Sequence, residues 1–177
     1  MQTKKILLVA LYCALLAVGS YIRFPLPPVP ITLQTMFVML LGLTTSWSVS
    51  LEATLLYLFL GAIGLPVFTG GGGLGALIGP TGGFLFAMVV AAPVISLIVT
   101  NPKRRGLGWD IAAVVAAELI IYGIGVPYLK YNRNIGWNTA FKVGMLPFLP
   151  GDALKATVAI LLAKTFRQRI EDFVSPR

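Results

Sequence analysis

Histidine is absent from this 177-residue chain, and cysteine occurs once, at Cys13. The first absence removes the usual general base and the usual transition-metal ligand. The second excludes an internal disulfide, and inside an apolar run Cys13 reads as a small buried hydrophobe. Charge is also scarce: six Asp and Glu against fourteen Lys and Arg, 11% of the chain in all, where soluble domains carry roughly 25%. Hydrophobic residues make up 57%. Such a composition cannot give helices polar outer faces, so residues 1–177 read as one integral membrane domain. No glycine-rich stretch ends in Gly-Lys followed by Ser or Thr, so the chain cannot use ATP alone through a P-loop. The segment Gly71-Gly72-Gly73-Leu74-Gly75-Ala76 has dinucleotide-like spacing but no preceding strand or βαβ unit, and its glycines suit a close-packed flexible lid instead.

What is present is six apolar stretches. They run from Ile6 to about Ile22, Thr32 to about Leu43, Val49 to Ile63, Thr81 to Val99 and Trp109 to Gly125; the sixth starts between Gly144 and Gly151 and ends near Phe166. A span needs about 20 apolar residues, so the expected fold is all-α, a compact bundle of six transmembrane helices with long extracellular loops. Pro25, Pro27, Pro28 and Pro30 forbid a helix interior after the first stretch. Lys4-Lys5, an apolar core and Ala17-Val18-Gly19 imitate a signal peptide. Cleavage there would leave five spans and spoil the charge asymmetry, so the segment reads as the first span.

The net charge of +8 does not point to nucleic acid, because the basic residues cap apolar runs instead of forming a stripe with aromatics. With six spans, nine of them (Lys4, Lys5, Lys103, Arg104, Arg105, Lys164, Arg167, Arg169 and Arg177) share a side with both termini. Arg23, Lys130, Arg133 and Lys142 fall on the other. The excess places both termini in the cytoplasm. The three longest connections then face outward, as the loops of a lidded pocket open to the outside.

The sixth stretch opens with Pro147-Phe148-Leu149-Pro150-Gly151-Asp152-Ala153-Leu154-Lys155. Asp152 and Lys155 are three residues apart and share a helix face. Charges at membrane depth cost about 2.5 to 3.5 kcal/mol each on insertion scales. A helix cap explains Asp152 but does not require a lysine one turn deeper. The pair suits a small polar solute, with the carboxylate accepting N–H donors and the ammonium meeting a carbonyl or carboxylate. Arg23, Lys130 and Arg133 are either rim cations or snorkelling side chains. Glu52 reads as interfacial. Glu118, mid-span, either meets a ligand or pairs with another polar group. Thr32 and Gln34 open the second span, as helix-start or ligand residues. Tyr57, Phe68, Phe84, Tyr122, Tyr128, Trp137 and Phe148 cluster toward the outer side, where an interfacial belt accounts for most and one or two are left to stack on a ring. Ala10 and Ala14 form a small-xxx-small pattern repeated at Ala87/Ala91, Ala112/Ala116 and Ala159/Ala163, for which internal packing is the default.

These segments carry a family resemblance. Pro25 to Gly42, Gly61 to Gly83 with its glycine run and Gly79-Pro80-Thr81-Gly82-Gly83, Gly125-Val126-Pro127-Tyr128-Leu129, and the Pro-Phe-Leu-Pro-Gly-Asp-Ala-Leu-Lys run are similar, in order, to the BioY family, the biotin-binding S components of energy-coupling factor (ECF) transporters. The resemblance implies biotin bound near the outer face under the first and third extracellular loops, with Asp152 and Lys155 in its recognition. Gln34, Gly79, Thr81, Glu118 and Tyr122 complete the candidate ligand set. Ala10 and Ala14 would face a transmembrane T component. Two ATP-binding-cassette ATPases would supply energy, and the whole S component would topple in the bilayer. No cofactor and no enzyme activity are implied, and the location is a bacterial or archaeal plasma membrane. The short tail Ser175-Pro176-Arg177 adds no cytoplasmic function. Biotin's ureido N–H groups suit Asp152, and its ureido oxygen or carboxylate suits Lys155. Backbone N–H groups of the glycine-rich loop are candidates for the remaining acceptor. A rival reading is an S component for another vitamin, such as thiamine or riboflavin. An intramembrane enzyme lacks a nucleophile–base pair, and a purely structural subunit leaves the paired charges unexplained.

Overall fold

The computed structural model describes residues 2–101 and 106–174; Lys103-Arg104-Arg105 and Ser175-Pro176-Arg177 lie outside them. Among the described residues the chain forms eight helices and one two-stranded hairpin. The order is α1 (Gln2–Tyr21), β1 (Arg23–Phe24), β2 (Ile31–Thr32), α2 (Gln34–Thr44), α3 (Trp47–Ala62), α4 (Leu74–Ile78), α5 (Gly82–Val99), α6 (Leu107–Arg133), α7 (Trp137–Gly144) and α8 (Leu149–Val174). Three helices, α1, α5 and α6, are long and apolar enough to cross a membrane, and a fourth crossing arises if α7 and α8, bent by 44°, count as one. α2 and α3 are apolar but shorter.

The outer surface is oily. Ile6, Phe59, Leu119, Leu154 and Leu161 are each more than half exposed. α2 is the inner post. Val38, Met39 and Leu41 have no exposed surface, so the helix is covered on all sides, by α1, α5 and α8 above all. At about 1.5 Å per residue its eleven residues fall short of the roughly 30 Å hydrocarbon layer. Burial in protein makes that tolerable. Small residues let the neighbours close in: a Cβ on Gly42 would stand 2.6 Å from Ile95 of α5. Buried hydroxyls join the same helices, with Ser50 3.0 Å from Thr45 and 2.7 Å from Ser96, which donates to the Gly42 carbonyl at 3.0 Å. Side-chain bonds of this kind hold helices together where lipid offers no hydrophobic drive.

The structure corrects several sequence expectations. α6 does not stop at Gly125 but continues through Pro127 to Arg133. Proline in a helix interior costs about 3 kcal/mol. Here the extension is held by packing: Val126 and Leu129 are buried, and the Tyr128 ring lies where a Cβ on Gly83 of α5 would sit. The stretch after it forms α7, whose Trp137 and Phe141 rings stack at 6.0 Å. α8 runs past Phe166 to Val174. Ala10 and Ala14 are exposed, whereas Ala87, Ala91, Ala159 and Ala163 are fully buried, so internal packing explains those two later pairs and not the first.

Candidate ligand-binding site

The hairpin and the loop between α3 and α4 gather at one end of the bundle. The hairpin pairs Arg23 with Thr32 and Phe24 with Ile31, which returns the chain to start α2 beside the end of α1. The loop after α3 is sewn to that end. Ser20 Oγ and Tyr57 Oη both donate to the Val67 carbonyl, at 2.7 and 2.9 Å. Tyr21 Oη donates to the Pro66 carbonyl and Arg23 to the Thr69 carbonyl. Phe68, 2% exposed, packs edge-on against Tyr57 with centroids 5.2 Å apart. Its ring lies against Gly61, where an added Cβ would stand 1.9 Å from Phe68 Cζ. Gly71 and Gly73 take φ values of 114° and 94°, a region that favours glycine, and turn the loop back so that the Gly73 N–H reaches the Gly61 carbonyl at 2.7 Å.

Under this roof lies a cavity of about 60 Å³. Val29, Pro30, Phe68, Phe84, Leu85, Met88, Ile121 and Phe148 give it apolar walls. Its polar groups are Thr32, Gln34, Thr35, Thr69, Thr81, Tyr122, Asp152 and Lys155. Of the predicted ligand residues, Asp152, Lys155, Gln34, Thr81 and Tyr122 therefore converge on one space. Gly79 and Glu118 do not line it. Gly79 ends α4. Glu118 lies one turn below Tyr122 on α6, and both its carboxylate oxygens are buried with no hydrogen-bond partner among the described residues. Phe68, Phe84, Tyr122 and Phe148 are wall residues, so an interfacial belt is the wrong account of them; Trp137, 46% exposed, fits it.

The charged pair sits in the first turns of α8, where the helix dipole favours an anion. Asp152 and Lys155 are each 6% exposed. Lys155 Nζ donates to Asp152 Oδ1 at 2.7 Å and to Thr35 Oγ1 at 3.1 Å. Tyr122 Oη donates to Asp152 Oδ2. One acid, one base, one phenol and one threonine from α8, α6 and α2 thus form a closed quartet. Burying both charges is tolerable because each meets an opposite charge and further hydrogen bonds. Thr35 was not anticipated; its only sequence signal is its place one residue after Gln34. The Thr32 hydroxyl accepts the Gln34 backbone N–H at 3.3 Å, so Thr32 serves the helix start as well as the wall.

Two of the remaining predicted cations, Lys130 and Lys5, are engaged elsewhere. Lys130 lies over the rings of Tyr131 and Trp137, at 4.2 and 5.1 Å. Lys5 and Glu52 pair at 2.5 Å at the opposite end of the bundle, as an interfacial Glu52 requires. Sequence reasoning missed a second tertiary pair there: Arg167 Nη2 donates to Asp110 Oδ1 at 2.8 Å while Arg167 Nε donates to the Leu43 carbonyl at 2.7 Å.

The BioY family's sequence profile matches residues 1–172. A Pyrococcus horikoshii protein named "Probable biotin transporter BioY" is 39% identical over 165 residues, covering 93% of this chain and 96% of that one. The Thermotoga maritima "Biotin transporter BioY" is 40% identical over 162 residues, covering 90% and 94%. A crystal structure of "the S-component for biotin from an ECF-type ABC transporter" superposes with a TM-score of 0.86 at 27% identity, covering 94% of this chain and 92% of that one. The chain belongs to the BioY family.

Proposed function

From membership of that family and the closed quartet at the roofed end of the bundle, we propose that this chain is the membrane-embedded biotin-binding subunit of an ECF-type vitamin importer. The carrying observation is the convergence of Asp152, Lys155, Tyr122 and Thr35 on a cavity whose other walls are largely apolar. Pockets for small ligands are mostly apolar with a few placed polar groups. Biotin matches that division: a polar ureido edge on a largely apolar bicycle and chain. Asp152 accepts a ureido N–H, and Lys155 and Tyr122 fix the carboxylate that does so. A space of about 60 Å³ holds only a few waters, so a bicyclic ligand enters when the roof over Phe68 parts.

The whole chain acts as one domain with six crossings: α1, α2, α3, α5, α6 and the α7–α8 pair. Both termini face the cytoplasm of a bacterial or archaeal cell and the roof faces outward, as the basic residues at the roofless end require. A T component and two ATPases of the ABC type complete the importer, because this chain carries no P-loop. The exposed Ala10 and Ala14 face of α1 receives the T component.

Titration of the purified protein with biotin, with thiamine and riboflavin as controls, tests the assignment. Saturable binding of biotin alone is expected; tighter binding of either other vitamin would reverse it. Ala10→Trp or Ala14→Trp should leave biotin affinity unchanged and impair pull-down of the T component. Intact assembly in both variants would remove that face from the interface.

A further inference from the structure

Among the described residues, buried side-chain polar atoms without a hydrogen-bond partner occur on Gln34 and Glu118. Only Gln34 lines the cavity, and it is 3% exposed. Its Nε2 is the unpartnered atom. An amide nitrogen donates two hydrogen bonds and accepts none, and leaving such a donor buried and unmet costs about 1–3 kcal/mol. The helix start does not account for it: no side chain caps α2, and the Gln34 backbone N–H is met by Thr32. The Tyr57 hydroxyl of α3 lies beside the amide, but no hydrogen bond joins them, so the donor stands at the cavity wall with its acceptor still to come.

Its position narrows that acceptor. Gln34 is the immediate neighbour of Thr35, which holds Lys155 and lies 3.5 Å from Asp152 Oδ1. Gln34, Thr35, Asp152 and Lys155 all line one space of about 60 Å³, so amide and acid face the same small volume. A cyclic urea carries its oxygen on the carbon between its two N–H groups. A ligand that gives an N–H to Asp152 therefore brings that oxygen into the same volume, while its carboxylate sits at the end of a chain, away from it. We propose that Gln34 is a specificity-determining residue that donates through Nε2 to the ureido oxygen of the ligand. This deepens the biotin-binding reading and rests on it.

The test titrates the purified full chain with biotin, biotin methyl ester and 2-iminobiotin. At neutral pH 2-iminobiotin carries an N–H donor where biotin has the oxygen, and the methyl ester alters only the carboxylate. Gln34→Leu should weaken biotin binding by about tenfold, shrink the preference for biotin over 2-iminobiotin by a similar factor, and leave the ratio of biotin to methyl ester unchanged. Gln34→Glu keeps the shape but cannot donate when ionised. It should also weaken biotin and shift preference toward 2-iminobiotin. Helical circular dichroism and melting temperature check that both variants fold. Wild-type biotin affinity in either folded variant overturns the proposal. So does a uniform loss across the three ligands, which would make Gln34 a packing residue, or a change confined to the methyl-ester ratio, which would move the contact to the carboxylate. A wild-type protein that binds none of the three ligands sinks the biotin reading and this proposal with it.

Discussion

The two ends of the bundle hold cavities of unequal size, each with a mixed polar and apolar lining. The roofed end encloses about 60 Å³ around Asp152 and Lys155, whereas the end near the chain termini has about 550 Å³ lined by apolar residues such as Leu43 and Ile170 and by polar ones such as Lys5, Thr45, Arg167 and Glu171. α8 contributes a cation to each: Lys155 to the small space and Arg167 to the large one. Lys155 reaches an acid three residues away on its own helix and the Thr35 hydroxyl of α2. Arg167 instead reaches across to Asp110 on α6 and to a backbone carbonyl of α2. Both arrangements tie α8 to α6 and α2; the first lines the roofed cavity through Tyr122 and Thr35, and the second braces the opposite end. Volume alone favours the end near the termini; the buried Asp152–Lys155 pair beneath the roof is what supports the roofed end as the proposed binding end.

Three substitutions sharpen or break this contrast. Arg167→Met leaves the buried Asp110 without its cation, and removing one partner of a buried pair costs about 3 kcal/mol or more. A large fall in melting temperature is expected in detergent, with biotin affinity of the folded fraction unchanged. If affinity falls and stability holds, the division of labour between the two ends is wrong. Asp152→Asn should weaken biotin at least tenfold, about 1.4 kcal/mol; the protein still folds, with a lower melting temperature because Lys155 loses its anion. Unaltered binding by calorimetric titration would take Asp152 and Lys155 out of the site. Thr35→Val has the smallest effect. It removes one acceptor for the Lys155 ammonium, worth about 1 kcal/mol, so biotin should bind about fivefold more weakly. An affinity equal to wild type would show that Asp152 alone positions Lys155.

The acid–base pair at Asp152 and Lys155 was legible because its spacing is local: three residues on a helix share a face whatever surrounds them. The apolar runs were legible because lipid imposes length and composition on a span. Features that depend on partners far along the chain were not. Nothing at Asp110 announces Arg167, fifty-seven positions away. Thr35 looks like any residue in the first turn of an apolar helix until α8 packs beside it. Pro127 suggested a helix end, and only the fit of Tyr128 against Gly83 shows why the helix goes on. Glu118 drew attention as an intramembrane acid, yet spacing along α6 could not tell that it is buried one turn below Tyr122 and is not among the residues that line the cavity. The aromatic residues misled for a related reason: a ring near the bilayer edge can face lipid or a ligand, and sequence depth is the same for both.

The Phe68 ring has a consequence for how this molecule can be altered. It corks the gap beside Gly61, carries the strap that closes the mouth, and forms part of the inner lining. Any side chain at Gly61 would push the cork out, so scaffold, hatch and chamber would be disturbed together. That glycine is a joint at which sturdiness and capture cannot be tuned independently.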